Sequence, residues 1–562
     1  MSGFDRAGAL ERLSAEEFDV LVVGGGVTGA GVALDAASRG LRTALVDKGD
    51  FASGTSSKSS KLVHGGLRYL QQREVALVYE SLAERQLLLH NASHLVRPLP
   101  FLIPLFGHGG VVQKAVARSF ATALWLYDAT GGWRIGSRHR RIDRGEALAH
   151  VPGLRADDLV AGFLYMDARA DDARLTLSVL RTAVQEHGAV GANYAEVTGL
   201  VTDASGTVRG ARVSPKVMPG TTGSFGDAAE GPDFDVRAKV VVNAAGVWAD
   251  EVRALDHQGA RQLLRPAKGV HLSVPADRLP CDIAAVLPVH GDRRSVFVLP
   301  WPGADRTYIG TTDTPYRGSL DLPTCTPEDV DYLLSAVNRS TTAELTPADV
   351  TAVWAGLRPL LADGHGRRVS SRTADLSRRH SVRTDPDGLV TVTGGKLTTY
   401  RRMAEDTMRQ VLAVLGPECR APTRSQTKHL PLLGAPGDGS PPDDHLGSRY
   451  GTEAAAVRAL ADGRPELLEP VVEGLPYLGA EVVFAVRAEM AQSVEDVLAR
   501  RTRAVLEDGR AAAAAARAVA RLMAPDLGWT EEQAARHADH YAGVVAAELD
   551  HAGVPAAVGG SR

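Results

Sequence analysis

Phe18-Asp-Val-Leu-Val-Val-Gly-Gly-Gly-Val-Thr-Gly-Ala-Gly31 is the stretch on which the reading of the chain turns. Val20 to Val23 is an apolar run with the length and β-branched character of a fully buried strand. Gly24, Gly26 and Gly29 follow at GxGxxG spacing. The first permits a tight turn, the second admits a pyrophosphate against the backbone, and the third lets the next helix pack closely. That helix, expected from about Val27 to Arg39, turns its N-terminal amides and the positive end of its dipole toward the phosphates. A second strand, Arg42 to Asp47, ends in a carboxylate 23 positions after Gly24, where an acid grips a ribose hydroxyl. Glycine-rich turns alone are common. Strand, turn, helix, strand and acid in this order make a dinucleotide site.

The chain has 562 residues, enough for two or three intertwined units, and 44% of them are hydrophobic, so a large core is available. A net charge of −4 argues against general nucleic-acid binding. Cys281, Cys325 and Cys419 are scattered, with no CxxC pair, and read as incidental or structural thiols of a reducing cytoplasm. Met1 to Glu17 contains acids and lacks the apolar core of a secretory signal, and no run approaches the roughly 20 apolar residues of a membrane span. The expectation is a protein that does not cross a bilayer.

Beyond the glycine turn, Phe51 to Leu70 carries seven Ser, Thr or Gly between Ser53 and Ser60, a composition unsuited to helix or strand. It suits a loop that lies along a cofactor and offers it hydroxyls and amides. His64-Gly65-Gly66 then opens what reads as a helix carrying Arg68 and Tyr69, and two glycines there imply something pressed against the backbone. Further on, Leu389 to Thr393 reads as a strand running into Gly394-Gly-Lys-Leu-Thr-Thr-Tyr400, another anion-friendly turn.

With these residues the chain resembles the FAD-dependent glycerol-3-phosphate dehydrogenases, flavoproteins that pass electrons to respiratory quinone. The resemblance is carried by Gly24–Gly31, Thr55–Tyr69, Asp171-Asp-Ala-Arg-Leu175 and Val298-Leu-Pro-Trp301. It continues through Ile309-Gly-Thr-Thr-Asp313, Gly356-Leu-Arg-Pro-Leu360, Gly394–Tyr400, Leu475–Glu481 and Val494–Arg503. One departure is Asp47, where this class usually has Glu; either carboxylate can bind a ribose.

The resemblance implies an α/β plus α fold. It comprises a Rossmann-type FAD-binding domain of the D-amino-acid-oxidase-like kind, an intertwined antiparallel-sheet substrate domain, and a helical C-terminal domain. The expected FAD-binding segments are 1–93, 151–261 and 376–430, with a basic, amphipathic, membrane-facing segment at 94–150. The substrate sheet is expected over 262–375, a Pro/Gly/Asp linker over 431–445 and the helical domain over 446–562. Within these, 216–233 reads as a surface insertion, and His537, His540 and His551 as surface histidines. The C-terminal domain has a packing or dimerisation role in this reading, with a homodimer as the possible assembly.

The cofactor set implied is Gly24, Gly26, Thr28, Gly29, Asp47, Lys48, Thr55, Ser56, Ser57, Ser60, Lys61, Leu62, Gly246, Gly395, Leu397 and Thr398. Glycerol 3-phosphate carries a phosphate dianion, and arginine's planar fork matches two of its oxygens at once. Arg68, Arg358 and Lys396 resemble the family's substrate clamp, with Arg372 and Tyr69 as helpers. Oxidising the secondary alcohol to dihydroxyacetone phosphate requires a base for the hydroxyl proton. His64 and His271 are the candidates, and His64 is favoured because it shares its motif with Arg68. No metal is expected.

From Arg97 to Arg144 there are eight Lys or Arg against two acids, Asp128 and Asp143, an excess of six in a chain whose total is negative. The apolar stretch Phe120 to Tyr127 lies among them. This pattern suits an amphipathic element in an anionic membrane surface, and equally a helix packed on the core with solvated arginines. The family's respiratory members are peripheral membrane enzymes, which favours membrane contact on the cytoplasmic, inner face of the cell membrane. Three alternatives compete: a glycerophosphate oxidase using oxygen, whose extra family insertion is not recognised here; an amino-acid oxidase, disfavoured by the basic clamp; and a non-enzymatic flavin sensor, which would need no clamp.

Overall fold

Strand Glu17–Val23 pairs in parallel on both sides, with Phe234–Asn243 on one flank and Thr43–Val46 on the other. Where both faces are covered the strand is apolar, and Val20, Leu21 and Val22 are fully buried, while Glu17 at its start is exposed. The computed structural model that establishes this describes residues 4–67, 69, 74–107, 114–216, 231–256, 262–289, 291, 292, 294–301, 303–362, 379–437 and 444–556. Arg68, Arg372 and nearly all of the insertion expected at 216–233 therefore lie outside the described residues.

The first sheet runs His380–Thr384, Val390–Gly394, Phe234–Asn243, Glu17–Val23, Thr43–Val46, Val190–Ala192, with the hairpin Ala195–Thr202 and Val208–Pro215 joined to Phe234–Asn243. Helices Val27–Ser38, Asp172–Gln185 and Tyr400–Leu415 share a core with it. The parallel centre and its covering helices are the dinucleotide fold expected from the first stretch.

The second sheet has ten strands. Its main path is Thr314–Pro315, Ala267–Pro275, Arg306–Gly310, Ser295–Trp301, Ala284–Pro288, Val96–Phe106, Leu159–Ala170, Leu62–Val63. Ala352–Arg358 adds to Ala267–Pro275, and Arg140–Asp143 to Leu159–Ala170. Here the segment boundaries read from sequence need correction. Residues 96–106 and 159–170 are central strands of the substrate sheet, not part of a membrane-facing segment or of the FAD-binding domain. The reason is register: Val96–Phe106 pairs along its length with Leu159–Ala170, and Pro98, Pro100 and Pro104 share one parity, which leaves the opposite parity's amides for the ladder.

The intervening helix Lys114–Ala129 is split between core and surface. Leu124 and Tyr127 are buried against Leu77, Val78 and Leu82, while Trp125 is 66% exposed. The C-terminal helices, among them Gly479–Glu489, Gly509–Leu527 and Glu531–His551, share one core with the substrate sheet. His537 is not a surface residue: it is buried, its ring stacked 3.9 Å from that of Trp529, and burial pulls its imidazole down to about 4.

Candidate active site

The glycine turn has the geometry its spacing implies. Gly24 holds φ = +109°, and a Cβ on it would lie 2.7 Å from the Ala244 carbonyl oxygen. A Cβ on Gly29 would overlap the Gly24 carbonyl oxygen, so only glycine lets the helix Val27–Ser38 start this close to the strand. That helix begins at Gly26 with no side-chain cap on its own N-cap residue. Ser56 Oγ, from the Ser-rich loop, accepts from Val27 N at 2.9 Å. Asp47 braces the turn, accepting from Gly25 N at 2.6 Å and Gly49 N at 2.8 Å. Burial pushes its carboxyl up to about 6. A helix start whose own N-cap residue is a glycine, a turn stripped of Cβ atoms and a braced carboxylate at the second strand's end form a cradle that fits the diphosphate and ribose of FAD.

Beside the cradle is a cavity of about 590 Å³. Its walls gather residues scattered over the sequence: Thr55, Ser60, Leu62, His64 and Tyr69 from the first third, His271 and Arg358 from the substrate sheet, and Gly395, Lys396, Leu397 and Thr398 from the returning turn. Phe101, Ile103, Leu105 and Phe297 make part of its wall apolar. Of the expected cofactor residues in the Ser-rich loop, Ser56, Ser57 and Lys61 are not on this wall. Lys61 Nζ is 3.6 Å from Asp172 and 4.8 Å from the Trp354 ring centroid, and burial pulls its ammonium down to about 8. Lys48 pairs with Asp321 at 2.6 Å and lies over the Trp248 ring. Gly246 opens the short turn after strand Phe234–Asn243 with φ = +59°.

The two histidines are in different circumstances. His271 is buried, its ring stacked parallel on Trp354 at 5.0 Å, with Nε2 2.8 Å from Ser60 Oγ. Burial, then the charges of Lys61 and Arg358, hold its pKa well below the ordinary imidazole value, so it stays neutral through the physiological range. His64 is half-buried on the cavity wall. Its backbone N–H donates to Thr398 Oγ1 at 3.1 Å, joining the HGG loop to the GGKLTT turn.

The two described members of the cationic clamp are individually positioned. Arg358 donates to Lys268 O at 3.2 Å and to Thr311 Oγ1 and Thr312 O at 3.1 Å each. Its guanidinium crosses over Gly269, where a Cβ would collide with it. Lys396 Nζ is 3.1 Å from Ser81 Oγ and 4.1 Å from the Tyr69 ring centroid, a cation–π contact that fixes the ammonium without neutralising it.

Sequence reasoning missed two groups. Asp167, on strand Leu159–Ala170, lines the cavity. It looks like any strand acid until the fold brings it to the HGG loop. The other is Arg500, Arg501 and Arg503, at the π-helical turn Asp496–Arg501 and just after it. Arg500 and Arg501 each reach Asp50 at 2.6 Å, and Arg503 reaches Asp172 at 2.9 Å and the Ser57 carbonyl at 2.5 Å. The available signal was their place in Val494–Arg503, one of the stretches that carry the resemblance.

A family model described as FAD dependent oxidoreductase matches residues 19–401, and one described as the C-terminal domain of alpha-glycerophosphate oxidase matches residues 425–534. Glycerol-3-phosphate dehydrogenase of Mycobacterium leprae is 43% identical over 562 residues, covering 97% of this chain and 91% of that protein. The human mitochondrial glycerol-3-phosphate dehydrogenase is 36% identical, covering 92% of this chain and 72% of its own length. Among solved structures, glycerol-3-phosphate dehydrogenase from Bacillus halodurans, complexed with FAD, superposes with a TM-score of 0.75 at 31% identity and covers 99% of both chains. With the cradle, the cavity and near full-length similarity in agreement, the chain belongs to the FAD-dependent glycerol-3-phosphate dehydrogenase family.

Proposed function

We propose that this protein oxidises sn-glycerol 3-phosphate to dihydroxyacetone phosphate and passes the electrons to a quinone while resting on the inner face of the cell membrane. The observation that carries the reading is the meeting of Arg358, Lys396, Tyr69, His64 and His271 on one cavity beside the FAD cradle. Oxidation of a secondary alcohol removes a hydride and a proton, and FAD, when bound, supplies the hydride acceptor. Arg358 and Lys396 bind the phosphate dianion, the first through its planar fork and the second as a point charge. Arg68 and Arg372 complete the clamp in this reading. Their combined field also favours negative charge on the alcohol oxygen as its proton leaves. His64 takes that proton. His271, neutral and tied to Ser60, orients the hydroxyl without competing for its proton.

The quinone and membrane parts rest on separate features. The apolar part of the cavity wall suits an apolar acceptor, and exposed Trp125 and Tyr79 lie beside a basic segment. No helix among the described residues is long and apolar enough to cross a membrane. The test is steady-state turnover with glycerol 3-phosphate, comparing a short-chain quinone with oxygen as acceptor, and flotation with anionic and neutral vesicles. The reading expects quinone to support turnover at least tenfold faster than air, and flotation with anionic vesicles only. Equal turnover in air would make the protein an oxidase, and no flotation would remove the membrane.

A further inference from the structure

Asp167 and Tyr127 come from a strand of the substrate sheet and from the helix Lys114–Ala129, and both converge on the peptide that follows His64. Gly65 N donates to Tyr127 Oη at 3.0 Å and to Asp167 Oδ1 at 3.2 Å. Tyr127 in turn donates its hydroxyl proton to the Asp167 carboxylate, with 2.8 and 2.7 Å to the two oxygens. Arg85 closes the network, donating to Asp167 Oδ1 at 2.5 Å and to Met166 O at 3.0 Å. All three side chains are buried. A Cβ on Gly65 would lie 2.5 Å from the Tyr127 oxygen, so the glycine is what lets the phenol reach the backbone.

On the other side of His64 its own N–H donates to Thr398 Oγ1, whose hydroxyl lies 3.4 Å from the His64 carbonyl oxygen. Both peptide groups flanking the His64 Cα are therefore held, one by the returning turn and the other by the Tyr127–Asp167 pair. With its flanking peptides fixed, the Cα–Cβ direction of His64 is set by the backbone, and only the rotation about χ1 and χ2 is left to the surroundings of the ring. We infer that Asp167 and Tyr127 are positioning residues for His64, acting through the Gly65 amide to hold the imidazole where it meets the substrate hydroxyl. The inference rests on the glycerol 3-phosphate reading of the cavity. It also gives the inner face of helix Lys114–Ala129 a role in the site that its amphipathic pattern does not reveal.

The test uses full-length holoenzyme, with Tyr127→Phe, which removes one oxygen from a ring that otherwise still packs, and Asp167→Asn as a second variant. Anaerobic mixing with glycerol 3-phosphate gives the limiting rate of flavin bleaching and the substrate dissociation constant. Calorimetric titration of the oxidised holoenzyme with dihydroxyacetone phosphate gives affinity independently of turnover. A sub-ångström to 1 Å displacement of a proton acceptor costs up to about 100-fold in rate. The expected result is a limiting rate about tenfold lower in Tyr127→Phe and lower still in Asp167→Asn. Both ligand affinities stay within about twofold, and FAD occupancy is unchanged. A Tyr127→Phe rate equal to that of the unaltered protein, or rate losses that merely follow lost FAD in both variants, would overturn the positioning role. Failure of glycerol 3-phosphate to bleach the unaltered protein would overturn the cavity reading and this role with it.

Discussion

Replacing Arg503 by Met tests whether the C-terminal helical domain holds the cofactor loop. Arg503 is fully buried, and its guanidinium donates to Asp172 at 2.9 Å, to the Ser57 carbonyl at 2.5 Å and to Ala499 O at 2.8 Å. Asp172, also fully buried, accepts from Ser59 N at 2.9 Å and Ser59 Oγ at 2.7 Å, so the carboxylate is the link between the arginine and the Ser-rich loop. Breaking a buried ion pair by removing one partner costs about 3–5 kcal/mol. Asp172 would keep Ser59 and the more distant Lys61 ammonium at 3.6 Å, which puts the cost at the low end, about 3 kcal/mol. That corresponds to roughly 150-fold in an equilibrium constant, shared between global unfolding and local opening of the loop. FAD binding, measured by the recovery of free-flavin fluorescence on dilution, should therefore weaken by about tenfold to 150-fold in Arg503→Met. The urea midpoint should fall in parallel. Arg517→Ala, which removes a pair with Asp539 in which both side chains are 61% exposed, is the control and should change neither. FAD affinity and urea midpoint both unaltered in Arg503→Met would refute the argument that these arginines pin the loop.

Gly29→Ala should yield protein that folds poorly and loses FAD on gel filtration, because the new Cβ overlaps the backbone carbonyl of Gly24, and overpacking against backbone costs about 3 kcal/mol or more; absorbance near the roughly 450 nm flavin band checks it. His64→Asn should slow flavin reduction at saturating glycerol 3-phosphate by about 100-fold, the range of a lost general base, whereas His271→Asn, which removes a neutral group tied to Ser60, should slow it less; stopped-flow bleaching of the flavin checks both. Glu507 is buried, takes hydrogen bonds from Tyr477 at 2.6 Å and Trp301 at 3.0 Å through one oxygen, and is pushed up to about 7 by burial. Its folded pKa lies above the unfolded value, so the folded state binds the extra proton, and this group's contribution to stability is present at acid pH and lost as pH rises through about 7. Glu507→Gln should accordingly flatten the fall in urea midpoint between pH 5.5 and 8, and an unchanged slope would count against it.

The dinucleotide half was legible because its rules are local. Gly29 answers to a clash with the Gly24 carbonyl five residues before it, and Asp47 sits at a fixed distance along the same unit, whereas the contact that demands glycine at position 24 comes from Ala244, just past a distant strand. The cavity was legible only as separate motifs: nothing local says that Tyr69 and Lys396 meet, and a cation–π contact across more than three hundred positions is a property of the fold. Strand Val96–Phe106 was hidden by its prolines and by the basic residues that follow it, because charge counting averages over elements that the fold separates. The stretch Phe120 to Tyr127 was legible only as an amphipathic pattern; that Trp125 faces outward while Tyr127 meets Asp167, forty residues on, is set by the fold. His537 has its stacking partner Trp529 only eight positions before it, and was misread because its side of the helix, with Ala534, Ala538 and Tyr541, faces the core.

The measurement that bears most directly on the whole account is anaerobic. Purified holoenzyme is mixed with sn-glycerol 3-phosphate, and in parallel with glycerol, with the enantiomer and with an amino-acid panel, while the flavin band is followed. The account predicts rapid, stoichiometric bleaching by sn-glycerol 3-phosphate alone, with loss of that bleaching in Arg358→Met and Lys396→Met although FAD remains bound. Bleaching by unphosphorylated glycerol at a comparable rate, or by amino acids, or no bleaching at all with FAD in place, would contradict it.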